Sequence, residues 1–508
     1  MHIPEDLPID GLLSRQASLY PRKTFIKFNG KTHTFRDVNR LADGCAAFLR
    51  SQNVQKGDRV ALLAFNSAWY VAAYFGIIRA GCIVLPLNYL LNHEEVDFIL
   101  SDAGVRIVFH DVECTVTVDR LKAKGAYSFH PLSEAVRAGG GFSAAPSGNS
   151  AGDVSTILYT SGTTGRPKGA MLTHRNFIAN ATAATQVIHV SRKDRLVVFL
   201  PLFHSFTYTV CVILPLLVGA RITLLPGVRP FSRVVKSLIA DRITLFVAIP
   251  TVYKILAEKD MPFLVKLLLN LRLCISGAAP LPVRVIREFE AAFKVPLLEG
   301  YGLTEASPVV SINPLEPGRN RLGTVGLPLP GLEVRTIDDE GRDAGRNTPG
   351  ELLVKGPSVM RGYLNRPEDT AKTIRDGWLY TGDVAAIDDD GYIKIIDRKK
   401  DLIIVDGLNV YPYEVEEVLY RHEAVKDCAM IGVPHEHEEG KELPIMYVVP
   451  KEGQAVGPKT LREYLVEHVA HYKVPRRFII TEDLPRTATG KILKREIRKL
   501  YQETERKK

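Results

Sequence analysis

The chain is poor in the features that mark several common protein classes, and each deficit narrows the choice. Its 508 residues hold only six cysteines, at 45, 82, 114, 211, 274 and 428, with no C-x-x-C pair among them. That scatter supports neither a zinc site nor a disulfide framework, and a reducing, cytoplasmic setting is expected. No apolar run reaches the ~20 residues that a membrane span requires. The longest, Thr209–Ala220, contains Pro215 and reads as a buried helix. Met1–Leu12 is acidic and proline-containing, without a basic stretch leading into an apolar core, so no secretory leader is expected. Internal repeats are missing, and so is the interleaving of aromatic and basic residues that a nucleic-acid surface would show. The net charge of +9 suits an anionic partner such as ATP, CoA or an acidic membrane surface. Much of the excess lies in Arg398-Lys399-Lys400 and the tail Lys494–Lys508, read as a solvated face that leaves room for peripheral membrane contact.

With 46% hydrophobic and 24% charged residues, the chain has the balance of a globular protein large enough for two or more cores. Thr34-Phe35-Arg36-Asp37 has the form of a capping box, opening an amphipathic helix to about Arg50 with Val38, Leu41, Cys45, Phe48 and Leu49 on one side. Strand Arg59–Phe65, helix Ala68–Ala80 and strand Cys82–Pro86 set a β-α-β rhythm, with further strands near Ile107 and over Arg195–Leu200 and Ile222–Leu225. That rhythm predicts layered α/β structure with largely parallel sheets. Gly139–Gly152 is a low-complexity connector. After about Thr336 the texture changes to short strands, including an Asp-Gly hairpin over Ile387–Tyr392. Beyond Arg398 a compact α+β segment follows: strand Leu402–Val405, helix Tyr413–Tyr420, strands Cys428–Val433 and Pro444–Val449, and helix Leu461–Val469. The expected fold is therefore α/β, a large N-terminal domain with a β-rich part (1–397) and a small mobile α+β domain (398–508).

Between strand Val154–Tyr159 and the apolar Ala170-Met171-Leu172 lies a loop dense in hydroxyls and glycines, Thr160-Ser161-Gly162-Thr163-Thr164-Gly165-Arg166-Pro167-Lys168-Gly169. Glycines at 162, 165 and 169 let backbone N–H groups turn inward. The hydroxyls and the Lys168 ammonium can meet phosphate oxygens or a hard cation. A polyphosphate holder is the reading. The pattern is not that of kinases and GTPases, because Gly169 follows the lysine where they carry Ser or Thr. A second cluster, Glu299-Gly300-Tyr301-Gly302-Leu303-Thr304-Glu305, offers an aromatic face for a base and a carboxylate for Mg²⁺. Arg272–Pro280 ends in the small residues Gly277, Ala278 and Ala279, which suit the wall of a flat ring. Asp383, in Leu379–Asp383, can accept from a sugar diol, and Lys491 follows a turn at Pro485–Gly490.

Taken in order, these segments resemble the acyl-adenylate-forming superfamily, from about Thr34 to Arg498, and most closely its AMP-forming fatty acyl-CoA ligases. The latter likeness rests on Asp376–Asp383, Ile395–Asp401 and Gly407–Pro412. The resemblance implies ATP and CoA as cosubstrates, Mg²⁺ as cofactor, and a monomer or homodimer. It implies that the 160–169 loop grips the β,γ-phosphates, with Thr160 and Glu305 near the metal, and that Glu299, Gly302 and Thr304 belong to the nucleotide motif. Tyr301 would stack on adenine, Gly277, Ala278 and Ala279 would line its pocket, and Asp383 and Arg398 would bind the ribose. Lys400 would occupy the hinge near 397–400, Gly407 and Leu408 would swing towards CoA, and Lys491 would bridge the substrate carboxylate and the α-phosphate.

The acid itself is less plainly written. In Pro201–Tyr208, His204 matches a histidine placed beside the carboxylate, and Tyr208 falls where some long-chain ligases carry an aromatic gate. No aspartate occurs between Phe203 and Leu214 to pair an amino-acid ammonium. A medium- or long-chain fatty acid is expected, with an aryl or cyclic acid as the alternative. A non-catalytic nucleotide- or acyl-binding protein is the alternative of another class. The segment Pro434–Lys441, rich in His and Glu, departs from the family's usual loop and is read as solvated.

Overall fold

A computed structural model of the chain describes residues 7–137, 147–160, 167–258, 266, 268–405, 408–434, 442–487 and 490–505. Most of the connector at 139–152, the loop residues Ser161–Arg166, Asp406-Gly407, the segment 435–441 and Ala488-Thr489 lie outside the described residues.

Local chemistry sets the first elements. The Thr34 hydroxyl accepts from Asp37 N at 3.1 Å while the Asp37 carboxylate accepts from Thr34 N at 2.9 Å, closing the expected capping box on helix Phe35–Ser51. Its inner face, including Val38, Ala42, Cys45 and Leu49, is fully buried against helix Ala68–Arg79. Strands Arg59–Leu63 and Ile83–Pro86, joined by that second helix, pair in parallel as expected. All six cysteines are free and buried.

Among the described residues the strands form five sheets. A seven-stranded sheet holds the parallel pair just named and the antiparallel hairpin Val154–Thr160 and Lys168–Thr173. A nine-stranded sheet has a parallel centre built from Arg195–Val198, Arg221–Leu224, Leu245–Ala248, Leu273–Ser276 and Leu297–Gly302. The apolar strands of these parallel regions are buried, as helices covering both faces require. A five-stranded antiparallel sheet contains Gly350–Lys355, Trp378–Ile387 and Ile393–Arg398, with the Asp-Gly turn at the expected place. A two-stranded hairpin, Ile403–Val405 with Leu408–Val410, precedes the last sheet, Val425–Pro434, Glu442–Pro450 and Arg477–Ile480. Helices Pro412–Leu419 and Pro458–His468 fall where the pattern puts them, whereas strand Arg477–Ile480 and helix Lys494–Glu505 are additions. Arg398 is the last residue of its strand in the antiparallel sheet, and a short 3₁₀ turn, Lys399–Asp401, leads from it to the hairpin strand Ile403–Val405.

The buried helix is present but not regular: Ser205–Tyr208 is α, Thr209–Ile213 is a widened π turn, and Leu214–Val218 is α again. Pro215 removes an N–H from that ladder just after the widened turn. Tyr208 does not stand as a gate. Its ring stacks on Tyr74 at 3.8 Å and meets the Phe177 edge at 5.7 Å, inside the core. No helix among the described residues is long and apolar enough to cross a membrane.

Candidate active site

Two strands fix the ends of the phosphate loop. In the hairpin Val154–Thr160 and Lys168–Thr173, Thr160 lies opposite Lys168, so the loop leaves and re-enters the sheet at one point. The Thr160 hydroxyl donates to Glu305 Oε1 at 3.4 Å. Glu305 stands on a 3₁₀ turn, Thr304–Ala306, just past the strand that carries Tyr301, and its carbonyl accepts from Met360 N at 2.8 Å. The Lys168 ammonium lies 3.1 Å from Asp369 Oδ1. Hydroxyl and carboxylate oxygens side by side are hard donors, and they fit a cation that arrives with a triphosphate and keeps several of its waters. Ser161, Gly162, Thr163, Thr164 and Gly165 lie outside the described residues.

The second group forms where two parallel strands end together. Leu273–Ser276 runs into Gly277, Ala278 and Ala279, and Leu297–Gly302 brings up Glu299, Tyr301 and Gly302 alongside. Ala278 adopts φ +71°, which turns the small-residue loop across the strand ends. Glu299 is buried, and its Oε1 accepts from Leu281 N at 2.9 Å, bracing that loop from behind. Burial pushes the Glu299 carboxyl up to about 8. Gly302 is held to glycine by space, since a Cβ there would lie 2.2 Å from the Pro308 carbonyl oxygen. The Tyr301 hydroxyl donates to Asp383 Oδ2, while Arg398 Nε sits 3.1 Å from Asp383 Oδ1. Asp383 and Arg398 face each other directly across two antiparallel strands, so sheet register alone places this pair.

The small domain supplies the third group. Lys491 N donates to the Thr487 hydroxyl at 3.1 Å and Thr487 N donates back to the Lys491 carbonyl at 2.8 Å, a tight loop that presents the side chain. Gly490, at φ +79°, presses on the large domain: a Cβ there would lie 2.8 Å from Ile249 Cδ1. Burial, and then the neighbouring Arg398 cation, lower the Lys491 ammonium to about 8, with Asp383 and Lys400 also within its field. Burial and Lys491 together lower His204 to about 4, so that its ring is neutral near neutral pH. Its Nδ1 accepts from Phe206 N at 3.3 Å, which leaves the proton on Nε2. Lys400 is lowered by burial and by Arg398. Leu408 is about half exposed on its hairpin, and Gly407 lies outside the described residues.

Beside these groups lies a small cavity of about 50 Å³. His204 and Thr304 stand in its wall with Phe206, Val210, Ile275, Ser276, Gly277, Tyr301, Val309 and Ile312. No charged side chain occurs among the described residues that line it. Thus the structure brings Lys168, Thr160 and Glu305 together at one end, Asp383, Arg398 and Tyr301 in the middle, and Lys491 with His204 beside an apolar chamber. Sequence reasoning missed Phe206, Ser276, Tyr363 and Asp369. The last two sit in Gly362–Asp369, whose available signal was a Gly-Tyr pair followed by a proline-led helix start.

Fold and cleft together define a two-domain protein, a large α/β domain and a small α+β one, with the clustered residues where the two meet. Residues 13–364 match the AMP-binding enzyme family and residues 414–491 the AMP-binding enzyme C-terminal domain, and the chain belongs to this family. It is 34% identical to a long-chain-fatty-acid–CoA ligase of Bacillus subtilis (strain 168), covering 99% of this chain and 97% of that protein. It is 36% identical to a feruloyl-CoA synthase of Amycolatopsis sp, covering 96% and 98%. The fold is similar to that of ATP-bound MatB from Rhodopseudomonas palustris, with a TM-score of 0.90 at 31% identity over 97% of this chain and 99% of that one.

Proposed function

We propose that this protein is an ATP-dependent acid–CoA ligase: the acid's carboxylate attacks the α-phosphate of ATP, pyrophosphate leaves, and the acyl-adenylate passes its acyl group to the CoA thiol, releasing AMP. The observation that carries this reading is the burial of Lys491 beside Asp383 and beside His204, the latter in the wall of an uncharged cavity. Joining a carboxylate to a phosphate brings two anions together and concentrates charge on the α-phosphoryl oxygens, and an ammonium there offsets it. His204, neutral and protonated on Nε2, donates to the carboxylate without competing for charge. Tyr301 and the wall Gly277–Ala279 take the adenine, and Asp383 and Arg398 take the ribose hydroxyls. The 160–169 loop with Lys168 holds the departing phosphates. Thr160 and Glu305 would hold Mg²⁺, which when bound neutralises charge on the leaving pyrophosphate.

The thiol must then reach the carbonyl that Lys491 covers. We assign the hinge to the turn Lys399–Asp401, which lets the small domain rotate, withdraw Lys491 and bring the hairpin at 403–410 towards CoA. The wholly free, buried cysteines support a cytoplasmic setting.

The acid's body is uncharged and apolar, because no charged group lines the described cavity to pair a second carboxylate or an ammonium. Relatives named for long-chain fatty acids and for ferulate both fit that chemistry. A medium- or long-chain fatty acid is the first choice, supported by the apolar side chains Val210, Ile275, Val309 and Ile312 in the cavity wall. The Phe206 ring, which would lie 3.0 Å from a Cβ at Gly277, gives one flat wall and favours an aryl acid as the second reading. Pyrophosphate release across hexanoate to palmitate, benzoate and cinnamates, with and without CoA, tests both. The first choice predicts highest kcat/KM with medium- or long-chain straight acids; activity confined to dicarboxylic or amino acids would overturn the reading.

A further inference from the structure

Glu305 and Lys168 are not held by the phosphate loop alone. A short strand, Gly362-Tyr363, pairs antiparallel with Ala170 and Met171, immediately past the loop's second stem. Backbone bonds latch it there: Arg361 N donates to Met171 O at 2.9 Å and Leu364 N to Gly169 O at 2.8 Å. Tyr363 is 9% exposed, and its N–H donates to the Thr370 hydroxyl on helix Pro367–Thr373 at 2.9 Å. Its phenol donates to Glu305 Oε1 at 2.9 Å, the same oxygen that accepts from Thr160. Glu305 Oε2 has no hydrogen-bond partner among the described residues. The face of the Tyr363 ring lies under the Lys168 ammonium, 5.4 Å from its centroid. Asp369, in the first turn of that helix, pairs with the Lys168 ammonium at 3.1 Å, the two side chains being 29% and 14% exposed.

We propose that Tyr363 and Asp369 are positioning residues for the phosphate end of the site: Tyr363 ties one oxygen of Glu305 so that the other faces the nucleotide's divalent cation, and Asp369 holds Lys168 until a triphosphate displaces it. This rests on the roles given above to Glu305 and Lys168. A carboxylate free at both oxygens turns about its last bond and takes a cation through either or both, or swings to a nearby ammonium. With Oε1 engaged by two hydroxyls, only one orientation remains, and a single oxygen is presented. The Lys168–Asp369 pair is partly exposed and correspondingly weak. It keeps the lysine extended over the Tyr363 ring at little cost, and a triphosphate with several charges outcompetes one carboxylate.

Tyr363→Phe keeps the ring under Lys168 and removes only the hydroxyl. Losing a hydrogen bond to a charged group predicts a roughly tenfold rise in the Mg²⁺ concentration for half-maximal pyrophosphate release. The acid KM and the thermal midpoint should stay at wild-type values. The same variant should weaken Mn²⁺ binding by a similar factor in the presence of a non-hydrolysable ATP analogue, read by electron paramagnetic resonance without turnover. Asp369→Asn should tighten the ATP analogue by roughly threefold by freeing Lys168, and it tests that half of the proposal even where Tyr363→Phe does not fold. Unchanged Mg²⁺ and Mn²⁺ dependence in Tyr363→Phe, or weaker analogue binding in Asp369→Asn, would overturn the proposal. A wild-type protein that binds Mn²⁺ and the analogue but releases no pyrophosphate with any acid would overturn the ligase reading instead.

Discussion

The ribose end and the carboxylate end of the site are built in opposite ways. At the ribose end, Asp383 and Arg398 are cross-strand partners in one sheet, and Tyr301 completes the set from the end of another; each charged or polar group already has its partner. At the carboxylate end, Lys491 comes from a loop of the other domain, held by two backbone bonds to Thr487, with its charge disfavoured by burial and by Arg398. On the proposed function, recognition would thus fall to satisfied sheet elements, and the group proposed to drive chemistry would sit on an arm proposed to move.

The sharpest way to break this contrast is Lys491→Ala. It should lower acyl-adenylate formation by ~10²–10³, the cost of losing one preorganised contact to developing charge, while ATP affinity, read by calorimetry, stays close to wild type. Equal losses in rate and affinity would mean that Lys491 belongs to the recognition half. A smaller effect is expected from Lys400→Pro, which removes an N–H and fixes φ in the proposed hinge turn. Thioester formation from preformed acyl-adenylate should slow several-fold more than adenylation; equal slowing would place the pivot elsewhere. The smallest effect concerns the rigid half. Burial pushes the Glu299 carboxyl from its ordinary 4.5 up to about 8, because it favours the protonated form. Its stabilising contribution is complete below pH 4.5 and is lost as pH rises through about 8. Glu299→Gln, which can still accept from Leu281 N, should therefore flatten the pH dependence of the urea midpoint across that window. An unaltered slope would show that Glu299 is not the group responsible.

Much of this architecture could be read without coordinates, for identifiable reasons. The capping box at Thr34, the Asp-Gly turn after Ile387 and the alternation of apolar strands with helices are local signals, and each produced its element. Asp383, Arg398 and Lys491 were legible through their motifs. Tyr363 and Asp369 were not, because what brings them to Lys168 is strand register between segments about 190 residues apart, which no local pattern encodes. The gate expected at Tyr208 failed for a different reason. A widened turn follows it at once, and residues on every side of that helix are buried, the hydroxyls of Ser205, Thr207 and Thr209 included, so periodicity gave no means of telling which face meets the cavity. Helix Lys494–Glu505 escaped notice because its sequence is charged nearly throughout, with Ile497 as its fully buried anchor.

One close contact carries further than its size suggests. Gly277 lies in the wall of the acid cavity, with the Phe206 ring against it, and it also begins the small-residue loop assigned to adenine. On the proposed function a partition the thickness of a single backbone would separate the two substrates. Reshaping the chamber at that wall would also move the nucleotide's seat, whereas Val210, Val309 and Ile312 line the chamber outside the small-residue loop, so changes in acid preference would accumulate there.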